Sequence, residues 1–282
     1  VVFGYCEGLI PVRGFDDTGA AAARPHTIWI AADPDAPAKM ATFAAWAART
    51  AAGVYVIPGT VAEAGQARAA DVAQMQTLVV DLDTGDIAAK LAHLRRHLAP
   101  PALVVESGGR TPEGQPKRHV WWRLQEPAEG ADLAEVCRLR GEIAAKVGGD
   151  PHFASAHQPI RVAGTHHHKS GIARAVAIIE HSAHEVDLSE MAEAVAVMPA
   201  LPGVGTAAAA PRHDKPTLAA VLTTPVRDQG QDAWTRFQGL SAVIGHYVRL
   251  AHDGRVTSDE AGAAIADYNA AMVRPPWPQD RL

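Results

Sequence analysis

Leu78-Val79-Val80-Asp81-Leu82-Asp83-Thr84-Gly85 sets two carboxylates two residues apart at the end of an apolar run. On a strand alternate side chains share a face, so Asp81 and Asp83 project together while Leu82 turns into a core. Hard divalent cations take oxygen ligands, and a pair of them can clamp both oxygens of a phosphoryl transfer. A third carboxylate, Asp150, follows Gly148-Gly149. Asp81, Asp83 and Asp150 form a donor set for two Mg²⁺ or Mn²⁺ ions. Such ions lower the pKa of an attacking 3′-hydroxyl and stabilise a leaving pyrophosphate. Ser107, Gly108 and Gly109 could bring backbone N–H groups close to phosphate. His119, Arg161 and Lys169 could bind a triphosphate, Arg as a bidentate fork and Lys as a point charge. Each feature alone has a plainer reading: a strand running into an Asp-Gly turn, a structural histidine, a helix cap at Gly149-Asp150, solvated Arg and Lys. His166-His167-His168 invites a transition metal, but neighbours on a strand point to opposite faces, so at most two converge.

The elements that must position these groups follow from periodicity. Thr27–Ile30 and Val54–Ile57 read as strands around an Ala-rich helix over 36–52, with Gly53 closing it. Residues 61–76 read as a loop or short helix, and the strand bearing the two aspartates as 77–83. Asp86 to Leu98 is helical, with Ile87, Leu91, Leu94 and Leu98 inward and Lys90, Arg95 and Arg96 outward. Ala102–Glu106 and Arg118–Leu124 are strands of a hairpin whose glycine-rich connection, of about ten residues, is longer than usual. His119, Trp121 and Arg123 share one face of the returning strand, and Val120, Trp122 and Leu124 the other. The two tryptophans are most simply core residues, with base stacking as the functional alternative. Residues 131–147 form an amphipathic helix, 175–180 a strand, and 183–198 a further short helix. Residues 199–216, rich in Pro, Gly, Ala and Thr, read as a linker. From 217 onward the pattern is helical, with Trp234, Phe237, Leu240, Ile244, Tyr247 and Val248 on one stripe and a second helix from Ser258 to Met272. The organisation expected is a catalytic domain over 1–198, a linker over 199–216 and a helical domain over 217–282.

Composition bounds the function. The 282 residues are 48% hydrophobic and 20% charged, as in a soluble globular chain. The formal net charge of -5 gives no global basic footprint, so any nucleic-acid contact is local. Two cysteines, Cys6 and Cys137, are too few for a zinc site or disulfide framework and fit a reducing cytoplasm. No apolar run is long enough to span a membrane. The chain begins Val1-Val2 rather than with Met, which fits a piece of a longer protein.

The ordered set VVDLD, ESGGR…RHVWWRL, GGD and IRVAGTHHHK resembles the archaeo-eukaryotic primase superfamily, and within it the primase-polymerases and RepB-type primases of plasmids, phages and integrated elements. The resemblance covers roughly residues 50–180, and 217–278 more weakly. It implies that Asp81 and Asp83 are the first two metal ligands and Asp150 the third. His119 would contact the incoming nucleotide, and Arg161, Thr165 and Lys169 would lie in the nucleotide-phosphate pocket. The chain departs from the family pattern at Ala163, where Pro is usual, and at His167, where Asn is usual. It also carries the polar insertion TPEGQPK before His119. The tail, with Asp232-Ala233-Trp234, Ser258-Asp259-Glu260 and Pro275-Pro276, resembles the helical domain that follows such catalytic domains and leads into a helicase module.

The expected fold is therefore α/β (α+β): a largely antiparallel, RRM-like catalytic sheet with an N-terminal α/β unit, then a small all-α domain. The expected function is metal-dependent, template-directed nucleotidyl transfer. The substrates would be NTPs or dNTPs, the template single-stranded DNA, and the partner a helicase module in the same longer chain or beside it. Two other classes are open to the same residues. One is a metal-dependent nicking (relaxase-type) initiator using the histidine cluster with Tyr247 or Tyr268 as nucleophile. The other is a non-catalytic origin-binding module.

Overall fold

The aspartate-bearing strand is longer than its apolar run. It spans Val72–Leu82, and its two faces meet different cores. A computed structural model describes residues 2–17, 25–204, 222, 226–227 and 236–278, and the chain divides into two compact units, Val1–Thr206 and Ala207–Leu282. In the first, β1 (Leu9–Asp16), β2 (His26–Ala31), α1 (Ala36–Arg49), β3 (Ala52–Val56) and β4 (Thr60–Val61) precede β5, the Val72–Leu82 strand. Then come α2 (Ile87–His97), β6 (Leu103–Arg110), β7 (Pro116–Ala128) and α3 (Gly130–Val147). The short strands β8 (Ile160–Arg161), β9 (His166–His167), β10 (Arg174–Ala175), β11 (Ala177–His181) and β12 (Glu185–Val186) lead to α4 (Leu188–Val197).

One ten-stranded sheet carries this unit, in the order β11-β6-β7-β5-β4-β1-β3-β8, with β12 on β7 and β2 on β1. Its pairings are antiparallel except β12 with β7. The N-terminal strands are joined to the catalytic strands through β4, so the expected flanking unit is continuous with the core sheet. On β5 and β7 the period-2 alternation splits the apolar residues cleanly. Leu78, Val80, Leu82, Val120, Trp122 and Leu124 pack with Leu91 and Leu94 of α2, Leu139 and Ile143 of α3, and Met191 and Val195 of α4. Val79 and Trp121 face the other way, toward Ile10, Val12, Phe43, Val54 and Phe153.

Several local expectations change. The left-handed residue after α1 is Ala51, and Gly53 lies inside β3. The stretch 61–76 holds β4, a single 3₁₀ turn over Ala69–Asp71 and the start of β5. Its polar composition masked the strand because Gln76 is buried yet satisfied: its amide donates to Leu124 O at 3.2 Å and accepts from Tyr5 N at 2.9 Å. The long glycine-rich loop is also corrected. β6 continues as a bulged strand to Arg110, which pairs with Pro116, and the connection is Thr111–Gln115, closed by Thr111 N–H to Gln115 O at 2.9 Å. Lys90 lies buried, not on the solvated face of its helix.

The second unit contains β13 (Val226–Arg227), α5 (Arg236–His252), α6 (Ser258–Met272) and β14 (Val273–Arg274). Among its described residues it departs from all-α in the two-residue parallel pairing of β13 with β14. Leu240, Val243, Tyr268 and Val273 form its core, while Val248 is exposed. A capping box of Thr257 and Glu260 starts α6. Trp234 and most of the expected linker lie outside the described residues.

Trp122 is 1% exposed and its indole N–H donates to Ala99 O at 2.8 Å, which leaves it a core residue. Trp122→Ala is expected to destabilise the unit by about 3–5 kcal/mol, measured as a lowered urea midpoint.

Candidate active site

The site is built from the end of β5 outward. Asp81 pairs in register with His119 of β7, and both face away from α2, α3 and α4. Asp83 lies just past the last residue of β5. Asp150 arrives from the end of α3, which packs along β5. Gly148, at φ +65°, ends that helix, and Lys90 Nζ donates to its carbonyl at 2.5 Å. A Cβ on Gly149 would lie 2.8 Å from Val80 Cγ2 and 3.0 Å from Asp81 O, so only glycine lets the turn lie this close to the strand. Asp150 N–H then donates to Asp81 O at 3.0 Å. The third acid is thereby tied by backbone to the first. Asp150 Oδ1 also accepts from His152 N at 2.9 Å and caps the 3₁₀ turn Pro151–Ala154, so its capping and site positions coexist.

Asp81, Asp83 and Asp150 line one cavity of about 230 Å³, together with Lys117, Arg161 and Lys169, His119 and His167, and Ser107, Tyr55 and Gln158. Lys117 Nζ lies 3.9 Å from Asp83 Oδ2, and His119 Nε2 lies 3.8 Å from Asp81 Oδ1. Burial, reinforced by the charges of Asp83 and Asp150, pushes the Asp81 carboxyl up to about 7. Burial, with the Arg161 charge behind it, pushes the His119 imidazole down to about 3. His119 is therefore neutral at pH 7, and its contact with Asp81 is not an ion pair. The cationic side chains lining the cavity, among the described residues, are Lys117, Arg161 and Lys169.

The three carboxylates offer the oxygen donors that a hard divalent cation takes. Asp81 Oδ1 is fully buried with no hydrogen-bond partner, although the carboxylate as a whole keeps 21% exposure. A cation would satisfy this oxygen and relieve the repulsion that raises its pKa. Among the described residues no three His, Cys, Asp or Glu side chains converge as a ready-made ligand shell; the acids share the cavity rather than meeting at one point.

The remaining expected residues divide. Ser107 lines the cavity, whereas Gly108, Gly109 and Thr165 do not. The register of β6 against β7 slips between Glu106 and Arg110, and Gly108 lies in that bulge against His167 and the backbone of β10. The Thr165 hydroxyl donates to Val162 O at 2.6 Å. In the histidine run, His166 and His168 approach one another, with ring centroids 5.9 Å apart, while His167 faces the cavity. Tyr268 is buried in the core of the second unit. Sequence reasoning missed Lys117, although its period-2 spacing from His119 placed it on that face. It also missed Tyr55 and Asp17, which no local spacing connects to the motifs.

The cyanophage S-2L primase-polymerase AEP domain superposes with a TM-score of 0.51 at 16% identity, over 69% of this chain and 90% of that one. The likeness is one of fold: over 69% of its length this chain folds like that domain. Two structures of the primase RepB′ are also matched: its catalytic domain in complex with initiator DNA, at a TM-score of 0.46 and 16% identity over 67% of this chain and 88% of that one, and RepB′ itself, at 0.45 and 15% over 94% and 83%. No family model and no curated protein sequence matches the chain. On this fold the acidic and basic side chains that line the cavity gather on the sheet face free of α2–α4. Among the described residues no helix is long and apolar enough to cross a membrane.

Asp81 titrates at about 7 in the folded chain against 3.8 for the free group. The folded state thus keeps a proton that the unfolded chain has released, so its contribution to stability is full below the lower value and lost as pH rises through the upper one. Asp81→Asn is expected to raise Tm above wild type at about pH 8, with the gap closing by about pH 4. Mg²⁺ or Mn²⁺ is expected to raise the wild-type Tm at the higher pH but not that of Asp81→Asn. Thermal melts across the pH range check both.

Proposed function

We propose that the Val1–Thr206 unit is a DNA primase/polymerase that joins nucleotides on a single-stranded DNA template. The observation that carries this reading is the co-location, in one cavity of a primase fold, of Asp81, Asp83 and Asp150 with Lys117, Arg161 and Lys169. Half-buried carboxylates beside basic side chains in one cavity suit one task well: handling a polyanion through bridging cations.

In this reading Asp81, Asp83 and Asp150 would hold Mg²⁺ or Mn²⁺. The ions supply activation of the primer 3′-hydroxyl and neutralisation of the departing pyrophosphate. Arg161 and Lys169 bind the triphosphate, the first through the guanidinium N–H groups its ion pair leaves free and the second as a point charge. Lys117, beside Asp83, balances the acidic side of the cavity. His119, being neutral, offers a hydrogen bond next to Asp81 without adding charge. Ser107 supplies a further hydroxyl at the cavity wall. NTPs and dNTPs are the substrates and single-stranded DNA is the template. The helical unit is the link to a helicase module, in the same polypeptide or as a partner, during replication of a plasmid or phage in the cytoplasm.

Incorporation of labelled NTPs and dNTPs on an unprimed single-stranded template, with Mg²⁺ or Mn²⁺, tests the proposal. Metal-dependent products are expected from wild type and none from Asp81→Ala or Asp83→Ala, with both variants folded by circular dichroism. Synthesis retained in both variants would refute it.

A further inference from the structure

Asp17 lies outside every motif, one residue past β1, yet it is built into the site. Its Oδ2 accepts from Arg161 Nη1 at 2.7 Å and its Oδ1 from Arg161 Nη2 at 3.0 Å. The side chains are 2% and 6% exposed. Oδ2 also accepts the backbone N–H of His168 at 3.1 Å, and the Tyr55 hydroxyl donates to Oδ1 at 3.4 Å. The Tyr55 ring lies 4.5 Å from the Arg161 guanidinium, a stacking contact that fixes the plane of the fork. Burial by itself would raise the Asp17 carboxyl, but the hydrogen bond and charge of Arg161 outweigh it and hold the group below the usual carboxylate range. Asp17 is therefore ionised at neutral pH.

Gly53 makes room for it. A Cβ at that position would lie 2.5 Å from Arg161 Nη1 and 2.6 Å from Asp17 Oδ2. This is why a glycine interrupts an otherwise apolar strand. One carboxylate thus holds two separate arms of the cavity wall: the Arg161 side chain and, through His168 N, the segment that carries His167 and Lys169 to the same cavity.

A guanidinium has five N–H donors, and Asp17 engages two nitrogens on one edge. The remaining donors are held in a fixed orientation while Arg161 lines the cavity. Pre-orientation of this kind lowers the ordering cost of binding. We propose that Asp17 is a positioning residue of the triphosphate pocket, aiming Arg161 and anchoring the His166–Lys169 segment. The inference rests on reading the cavity as a nucleotide site.

The test is a fluorescence titration of the full chain with Mg²⁺–nucleoside triphosphate, with inorganic triphosphate as competitor. Asp17→Asn keeps the shape of the side chain and removes its charge. It is expected to weaken binding of both probes about ten-fold. In an Arg161→Gln background the same change is expected to add less than about two-fold, because its effect runs through Arg161. Gly53→Ala, which intrudes between the partners and alters neither, is expected to reproduce the loss and decides the matter if Asp17→Asn does not fold. Unchanged or tighter binding in folded Asp17→Asn, or losses that add independently with Arg161→Gln, would overturn the proposal and leave the nucleotide reading standing. A wild-type chain that binds neither probe would overturn both.

Discussion

The alternation of side chains along β5 and β7 is the constraint on which the site depends. A strand has two faces, and here one must seal a helical core while the other carries ionisable groups. Leu78, Val80 and Leu82 do the first with Trp122 and Leu124. Asp81, opposite His119, does the second. A one-residue slip of β5 against β7 would bury the carboxylate among leucines and expose Leu82. The large apolar face therefore holds the register, and the register holds the chemistry.

Electrostatics inside the cavity follow from that placement. Desolvation and like charges act together on Asp81, and desolvation with the Arg161 charge acts on His119. Both groups are driven toward neutrality, as buried groups without close partners are. Asp17 behaves oppositely: Arg161 at hydrogen-bond distance holds its carboxyl below the usual range. The cavity thus joins an acidic side to a basic side whose arginine is already oriented. A polyanion with bridging cations would complement both at once.

Much of the fold was legible from pattern. The helices over α2, α3 and α6 and the strands β2, β3 and β7 carry strong periodicity, and the structure places them close to the expected spans. What was hidden is instructive. Gln76 disguised the start of β5, because a buried glutamine that finds a backbone partner is indistinguishable in sequence from a solvated one. Glycines 108 and 109 read as a turn, yet they sit in a strand bulge whose partner segments come from β9 and β10.

By itself the sequence determined the binary pattern: which strand end bears the two aspartates, which faces are apolar, where α3 stops, and that a resemblance to primases runs through the ordered motifs. These are local properties, encoded within a few residues by period and cap. Only the tertiary structure decided how the motifs meet. It set Asp150 beside Asp81 through one backbone hydrogen bond and one close glycine contact, turned Lys90 from a surface charge into a buried tie to Gly148, and paired Asp17 with an arginine 144 positions away. Spacing along the chain carries no information about such contacts, because they depend on which surfaces a continuous sheet brings together and on how little room is left between them.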